Sequence, residues 1–272
     1  MSKIKLVTLD IDDTLLDDNQ IISEANMKAI HQAIDLGVKV VLCSGRTHTG
    51  MKEYLDKLGI NGNDQYIITN GGSIIESVAG DIIYKKTLSN KTYREIDAFI
   101  QKNELHYNVV DVLGNTFTSN NDFIDPYTII QAFENGKGLF IRTPDQLPEN
   151  FEITKAIINE NKIKLDSIED SVNQRFGQNY YIVRTGDGFL EIMPKNIDKG
   201  SALASLADFL KIDISETMAI GDGENDIPML KKAGISIAMG NSKMKIKNMV
   251  DFVTSNNNES GVAEAFSKYV LN

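Results

Sequence analysis

The apolar positions change their spacing along the chain. Lys5 to Leu9 (KLVTL) reads as a strand, a polar loop follows, and then Ala29, Ile30, Ala33, Ile34 and Leu36 recur with a helical period. Ser23 would cap that helix and Gly37 would end it. VKVVLC, Val38 to Cys43, has the continuous apolar character of a buried strand. A small-residue corner, Ser44-Gly45-Arg46, leads into a second helical segment that ends near Gly59, and Tyr66 to Ile68 resumes a strand. Strands alternating with helices in this order predict a parallel sheet with crossover helices.

That pattern breaks off and restarts at Asp198. It then predicts a helix from Ala202 to Leu210, a strand from Thr217 to Ile220 and a helix from Asp226 to Ala233. A strand from Ile235 to Ala238 and a last helix ending near Tyr269 follow. The intervening stretch has a different grain, with hairpin-like YYIVR-TGDG-FLEIM around Thr185 to Gly188 and helical pieces at Tyr93 to Lys102 and Ile153 to Asn161. The expectation is an α/β protein whose core, residues 1–84 and 194–272, is interrupted by an α+β domain at 85–193.

Composition narrows the function. The 272 residues are 42% hydrophobic and 24% charged, and the formal charge of -10 disfavours a nucleic-acid surface. An anionic substrate must then be met by a local positive site. The single cysteine, Cys43, excludes an internal disulfide and a cysteine-based zinc cluster, and His31, His48 and His106 lack metal-ligand spacing. No apolar run approaches the roughly 20 residues a membrane helix needs. The N-terminal stretch reaches Asp10 before a signal-peptide core could form, and the cysteine usage fits a reducing cytoplasm.

Ligands of a parallel sheet bind beyond the carboxyl ends of its strands, and four polar signatures fall there. The first is DIDDT, Asp10 to Thr14. Residues two apart on extended backbone share a side, so Asp10 and Asp12 can face one pocket. They are either a solvated acidic loop or a nucleophile and a general acid/base beside a hard cation. Asp17 and Asp18 read as surface charge. Ser44-Gly45-Arg46 is either a capping corner or an anion site at a helix start. Lys199 in Asp198-Lys199-Gly200 sits at a helix start, where a cation is electrostatically misplaced unless it serves an anion. The fourth, GDGEND from Gly221 to Asp226, is a tight acidic turn or a set of oxygen ligands of the kind magnesium takes.

Together these four signatures resemble the haloacid dehalogenase (HAD) superfamily of phosphatases. TNGG at Thr69 to Gly72, LEIMPKNIDKG at Leu190 to Gly200 and the closing GVAEAFSKYVLN resemble its Cof-type subgroup, and within it the bacterial sugar phosphatases with a C2B-type cap. The resemblance implies a Rossmann-like parallel-sheet core with an inserted α+β cap. It implies Asp10 as a nucleophile forming an aspartyl-phosphate and Asp12 as the acid and then the base. Mg2+ would sit on Asp10, the Asp12 carbonyl and Asp222, with Asp226 in support. The Ile11 and Gly45 amides, Ser44, Lys199 and Asn225 would hold the phosphoryl oxygens, and Arg46 would buttress them. One departure is Asp13, where the family often has glycine; aspartate tolerates the same unusual dihedrals, so function is expected to survive.

The activity so implied is magnesium-dependent hydrolysis of small phosphate monoesters, sugar phosphates foremost, with a sugar phosphomutase and a catalytically silent phosphometabolite-binding module as the alternatives. Arg184, Glu191 and His48 are the candidates for specificity, and hinge motion is expected near Lys85 and Pro194. No nucleic-acid or membrane partner is expected.

Overall fold

The structure, a computed structural model, describes residues 4–272. The run KLVTL lacks alternation because β1 (Leu6–Leu9) is covered on both faces. Val7 and Leu9 join an apolar cluster with Ile30, Ala33 and Phe266, whereas Leu6 belongs to another with Val41, Leu203 and Met229.

The chain divides into two compact units: Met1–Gly45, Met51–Tyr84 and Asp198–Asn272 in the first, Arg46–Gly50 and Lys85–Ile197 in the second. After β1 come a single wide turn (Ile11–Leu15), α1 (Glu24–Asp35), β2 (Lys39–Cys43), α2 (His48–Lys57), β3 (Tyr66–Thr69), β4 (Ile74–Ser77) and β5 (Ile82–Lys85). Then follow β6 (Leu88–Ser89), α3 (Asn90–Lys102), β7 (Tyr107–Asp111), β8 (Thr116–Thr118), α4 (Pro126–Asn135) and β9 (Leu139–Ile141). β10 (Glu152–Asn159), α5 (Lys162–Phe176), β11 (Tyr180–Gly186) and β12 (Phe189–Pro194) complete the middle of the chain. The last part holds α6 (Lys199–Phe209), β13 (Thr217–Gly221), α7 (Ile227–Lys232), β14 (Ile235–Ala238), α8 (Met244–Lys247), β15 (Phe252–Val253) and α9 (Gly261–Tyr269).

In the first unit the strands lie in the order β15-β14-β13-β1-β2-β3-β4-β5. Pairing is parallel from β15 through β3, and β4 runs antiparallel to β3. β1 is therefore the strand from which the connections depart to opposite sides, the topological switch point where α/β sheets bind ligands. The predicted cap of α1 is present: the Ser23 side chain accepts the Asn26 N–H. α6 begins at Lys199, earlier than the apolar period suggests, because Asp198 and Ser201 cap it reciprocally.

The second unit has its own sheet, β11-β12-β10-β7-β8-β9, with β6 paired to β10. The segment Ile153 to Asn161, expected to be helical, is instead the long strand β10. Ile153, Ala156 and Ile157 fit a helical period by spacing, but the β-branched run pairs on both sides with β7 and β12. Tertiary pairing overrides the local pattern there. One face of this sheet, with Tyr107, Val109, Ile158 and Leu190, packs on Ile96 and Ile100 of α3 and Val172 and Phe176 of α5. Asn108, Lys155, Asn159 and Glu191 alternate with those residues along their strands, and all four are buried.

Candidate active site

Asp10 is the first residue beyond β1, and its N–H still continues the ladder to Ile220 O at 3.1 Å. The chain then turns tightly. Asp12 is extended (φ -71°, ψ 133°) and half-buried, and Asp13 takes a left-handed conformation (φ 56°). The aspartate at a position where glycine is common thus adopts the dihedrals glycine would supply, as expected. The turn is held from the C-terminal part of the chain: Asn241 Nδ2 donates to Asp13 O, and Asn257 Nδ2 to Leu16 O and Asp18 Oδ1. Asp17 and Asp18 are more than surface charge, since Asp17 Oδ1 also accepts the Asn19 and Ile21 N–H groups.

Lys199 is the first residue of α6 and is 1% exposed. Its Nζ lies 2.7 Å from Asp10 Oδ1 and 2.6 Å from Asp226 Oδ1. Bringing this helix start so close to the turn after β3 requires an absent side chain. A Cβ on Gly72 (φ +107°) would meet Asp198 O at 2.4 Å, so the TNGG turn and the start of α6 touch backbone to backbone.

The turn after β13 is organised by Asp226, which is fully buried. Its Oδ1 accepts from Lys199, and its Oδ2 accepts the Asp222 and Gly223 N–H groups, each at 2.9 Å. Gly221 has to be glycine here, for a Cβ would lie 2.5 Å from Asp226 Cγ. Asp222 Oδ1 accepts the Thr14 hydroxyl at 2.8 Å, tying this turn to the one after β1. Thr14 belongs to the first motif, but nothing in the sequence assigns it Asp222 as a partner.

Of the residues singled out by sequence, the structure brings Asp10, Lys199, Asp222 and Asp226 together. Ser44 lies at the end of β2, the neighbour of β1, buried, with its N–H on Ile68 O and its carbonyl accepting from Gly71. Ile11 and Asp12 follow Asp10 in the turn, and Gly45 follows Ser44. Asn225 is half-buried and folds back over Gly223. Among the specificity candidates, Arg184 is engaged by its own hairpin, donating to Gly186 O and Asp187 O, and by Glu169 of α5. Glu191 is buried against Lys155, and His48 opens α2.

The electrostatics are unbalanced. Burial, and then the charge of Asp226, push the Asp10 carboxyl well above the usual carboxylate range. The same two causes push Asp222 up to about 7. Burial works to lower the Lys199 ammonium, but Asp10 and Asp226 outweigh it and raise its pKa. Three carboxylates face one ammonium.

Asp10, Asp222 and Asp226 each offer an oxygen within 4.8 Å of the others, a spacing that a cation can bridge. Lys199 engages one oxygen of Asp10 and Thr14 one oxygen of Asp222, whereas both oxygens of Asp226 are engaged. This donor set fits a hard divalent cation held by Asp10 and Asp222 and steadied by Asp226.

The sequence profile of the haloacid dehalogenase-like hydrolases matches residues 7–266, which include every residue of this cluster. The chain belongs to that family. A Streptococcus pyogenes protein provisionally named a phosphatase is 36% identical over 99% of both chains. The 5-amino-6-(5-phospho-D-ribitylamino)uracil phosphatase of Bacillus subtilis is 29% identical, covering 98% of this chain and 96% of its own. A crystal structure of a haloacid dehalogenase-like hydrolase from Bacteroides thetaiotaomicron superimposes with a TM-score of 0.85 at 29% identity, over 97% of this chain and 99% of that one. This haloacid dehalogenase-like hydrolase is a phosphatase, and its substrates are small phosphorylated molecules. Among its described residues no helix is long and apolar enough to cross a membrane.

Proposed function

We propose that this hydrolase is a magnesium-dependent phosphatase of small phosphate monoesters, sugar and polyol phosphates among them, acting through an aspartyl-phosphate on Asp10. The observation that carries the reading is the largely buried cluster of Asp10, Asp222 and Asp226, which follow β1 and β13, with Lys199 at the start of α6. The second unit is the inserted cap, and a reducing cytoplasm is the compartment that suits the single cysteine.

Lys199 holds Asp10 by Oδ1, which fixes the carboxylate for its attack on phosphorus. The bond from phosphorus to the leaving oxygen breaks as the new one forms, and Asp12 gives that oxygen a proton. Asp12, now a carboxylate, takes a proton from the water that attacks the aspartyl-phosphate, releasing phosphate and restoring Asp10. Ser44, the Ile11 and Gly45 amides, Asn225 and the Lys199 ammonium surround the equatorial oxygens, which gain charge in the transition state. Magnesium bound by Asp10, the Asp12 carbonyl and Asp222 would offset the repulsion between the attacking carboxylate and the phosphoryl group.

The test is hydrolysis of 4-nitrophenyl phosphate with magnesium and with EDTA, followed by a panel of phosphorylated sugars, polyols and nucleotides ranked by kcat/KM. Hydrolysis that survives EDTA or Asp10→Asn unchanged would sink the mechanism. Transfer of phosphate between two hydroxyls of one sugar, faster than its release, would make the protein a mutase.

A further inference from the structure

The turn after β1 is tethered by loops that start beyond the neighbouring strand. With β15, β14, β13 and β1 parallel and in that order, the loops after β14 and β15 leave the same end of the sheet as β1, but farther from it than β13. Asn241 lies in the first of these loops and Asn257 in the second. The loops are joined to each other: Gly240 N–H donates to Ser255 O at 3.0 Å, and Asn257 N–H to Asn241 Oδ1 at 3.2 Å. Both side chains then reach past β13. Asn241 Nδ2 donates to Asp13 O at 2.8 Å, and Asn257 Nδ2 to Leu16 O at 3.1 Å.

The turn has reason to need this support. It is closed by Leu16 N–H on Ile11 O at 3.0 Å, and between those ends Asp13 holds φ 56°. That conformation disfavours a residue with a Cβ and persists where the surroundings enforce it. Asn241 holds the carbonyl of that same residue. Asp13, Thr14 and Leu16 are thus pinned from the loops after β14, β13 and β15 in turn. Asp12 lies between two fixed points, because Asp10 on its other side is held by its N–H on Ile220 O and its carboxylate on Lys199. With only two soft dihedrals per residue, anchoring both neighbours sets the direction in which the Asp12 side chain leaves the backbone.

We propose that Asn241 and Asn257 are positioning residues, a linked pair of side-chain amides that holds the turn after β1 so that Asp12 reaches the leaving-group oxygen. The inference rests on the reading of Asp12 as the acid, whose proton passes to the ester oxygen as the bond from phosphorus breaks; neither asparagine touches the substrate. An acid must lie within hydrogen-bond reach of the atom it protonates, and a misplacement of about 1 Å can cost a hundredfold in rate. Losing the Asn241 side chain should weaken proton delivery more than it weakens the attack by Asp10, which Lys199 holds separately.

Esters of graded leaving-group basicity distinguish this role from a merely structural one. The probes are 4-nitrophenyl, phenyl and benzyl phosphate, similar in shape, whose leaving oxygens need a proton increasingly in that order. The quantity measured is kcat/KM, which reports steps up to formation of the aspartyl-phosphate and not its hydrolysis. Asn241→Ala and Asn257→Ala are each expected to lower it about tenfold or more for benzyl phosphate and less than about threefold for 4-nitrophenyl phosphate. Asn241 is exposed, so its variant should keep the fold, and it carries the test alone if Asn257→Ala, at a buried position, unfolds. Equal losses on all the esters would mean that the asparagines only stabilise the fold, and would overturn the inference, as would parent-like values throughout. Asp12→Asn, measured alongside, separates the two readings. If it loses the benzyl ester selectively and the asparagine variants do not, this inference alone fails. If it hydrolyses the esters in the parent's proportions, the role of Asp12 as acid fails, and this inference falls with it.

Discussion

Lys199 in the first unit and Lys155 in the second are buried to nearly the same degree, 1% and 2% exposed, yet their surroundings differ in kind. Lys155 faces one carboxylate, Glu191, and the pair is balanced. Lys199 faces Asp10 and Asp226 directly, with Asp222 alongside, and the group keeps an excess of negative charge. A balanced buried pair can be a purely structural element and is weak evidence for chemistry. An unbalanced one needs a further cation or retained protons, and the raised carboxyls of Asp10 and Asp222 record that need. Burial of charge alone therefore does not mark a site; the sign left over does.

The sharpest way to break this contrast is Asp10→Asn, expected to lower kcat on 4-nitrophenyl phosphate by about a thousandfold or more, since it removes the proposed nucleophile. The variant should remain folded by circular dichroism and, without metal at pH 8, melt no lower than the parent, because a repelling charge has been removed.

Next are the two lysines themselves. Lys199→Met and Lys155→Met each leave buried carboxylate uncompensated and should cost about 3–5 kcal/mol in urea unfolding at pH 8. The contrast lies in the rescue. Adding Glu191→Leu to Lys155→Met should restore most of that loss, whereas no single carboxylate replacement should rescue Lys199→Met.

Metal and pH come third. A carboxyl with a folded pKa above its unfolded value keeps its proton longer in the folded state, so stability falls as pH rises between the two values. For Asp222 that window runs from the ordinary aspartate range up to about 7. In EDTA the protein should therefore lose melting temperature across that window. The gain on adding magnesium should be larger at pH 8 than at pH 5.5, and equal gains would count against Asp222 as a ligand. The smallest effect is that of Thr14→Val, which removes the donor to Asp222 Oδ1. It should cost about 1 kcal/mol of stability and roughly tenfold in magnesium affinity, measured by titrating activity.

The parts of the fold that were legible in the sequence are those whose cause is local. KLVTL announces a buried strand, and three of the four polar signatures follow strands of one sheet, β1, β2 and β13, whereas Asp198-Lys199-Gly200 opens α6 after a strand of the other sheet. What was hidden depends on partners far away in the chain. Nothing in Ile153 to Asn161 distinguishes a helix from a strand until β7 and β12 flank it. The need for glycine at position 72 arises from the Asp198 carbonyl, and the role of Thr14 from Asp222. In α4, PYTIIQAFEN gives no clue that its threonine and asparagine, rather than its isoleucines, turn inward.

The central position of β1 also bears on how the molecule comes to be. The Thr8 hydroxyl on β1 donates to Met218 O on β13 although the two residues lie 210 positions apart. During synthesis the Asp10 carboxylate emerges well before the lysine and acids that complete the cluster. Long-range parallel pairing is slow to form because the loop must close before any contact rewards it. The cluster of Asp10, Lys199, Asp222 and Asp226 is thus slow to assemble, and until β13 pairs with it β1 keeps one edge open, a site for a chaperone to hold.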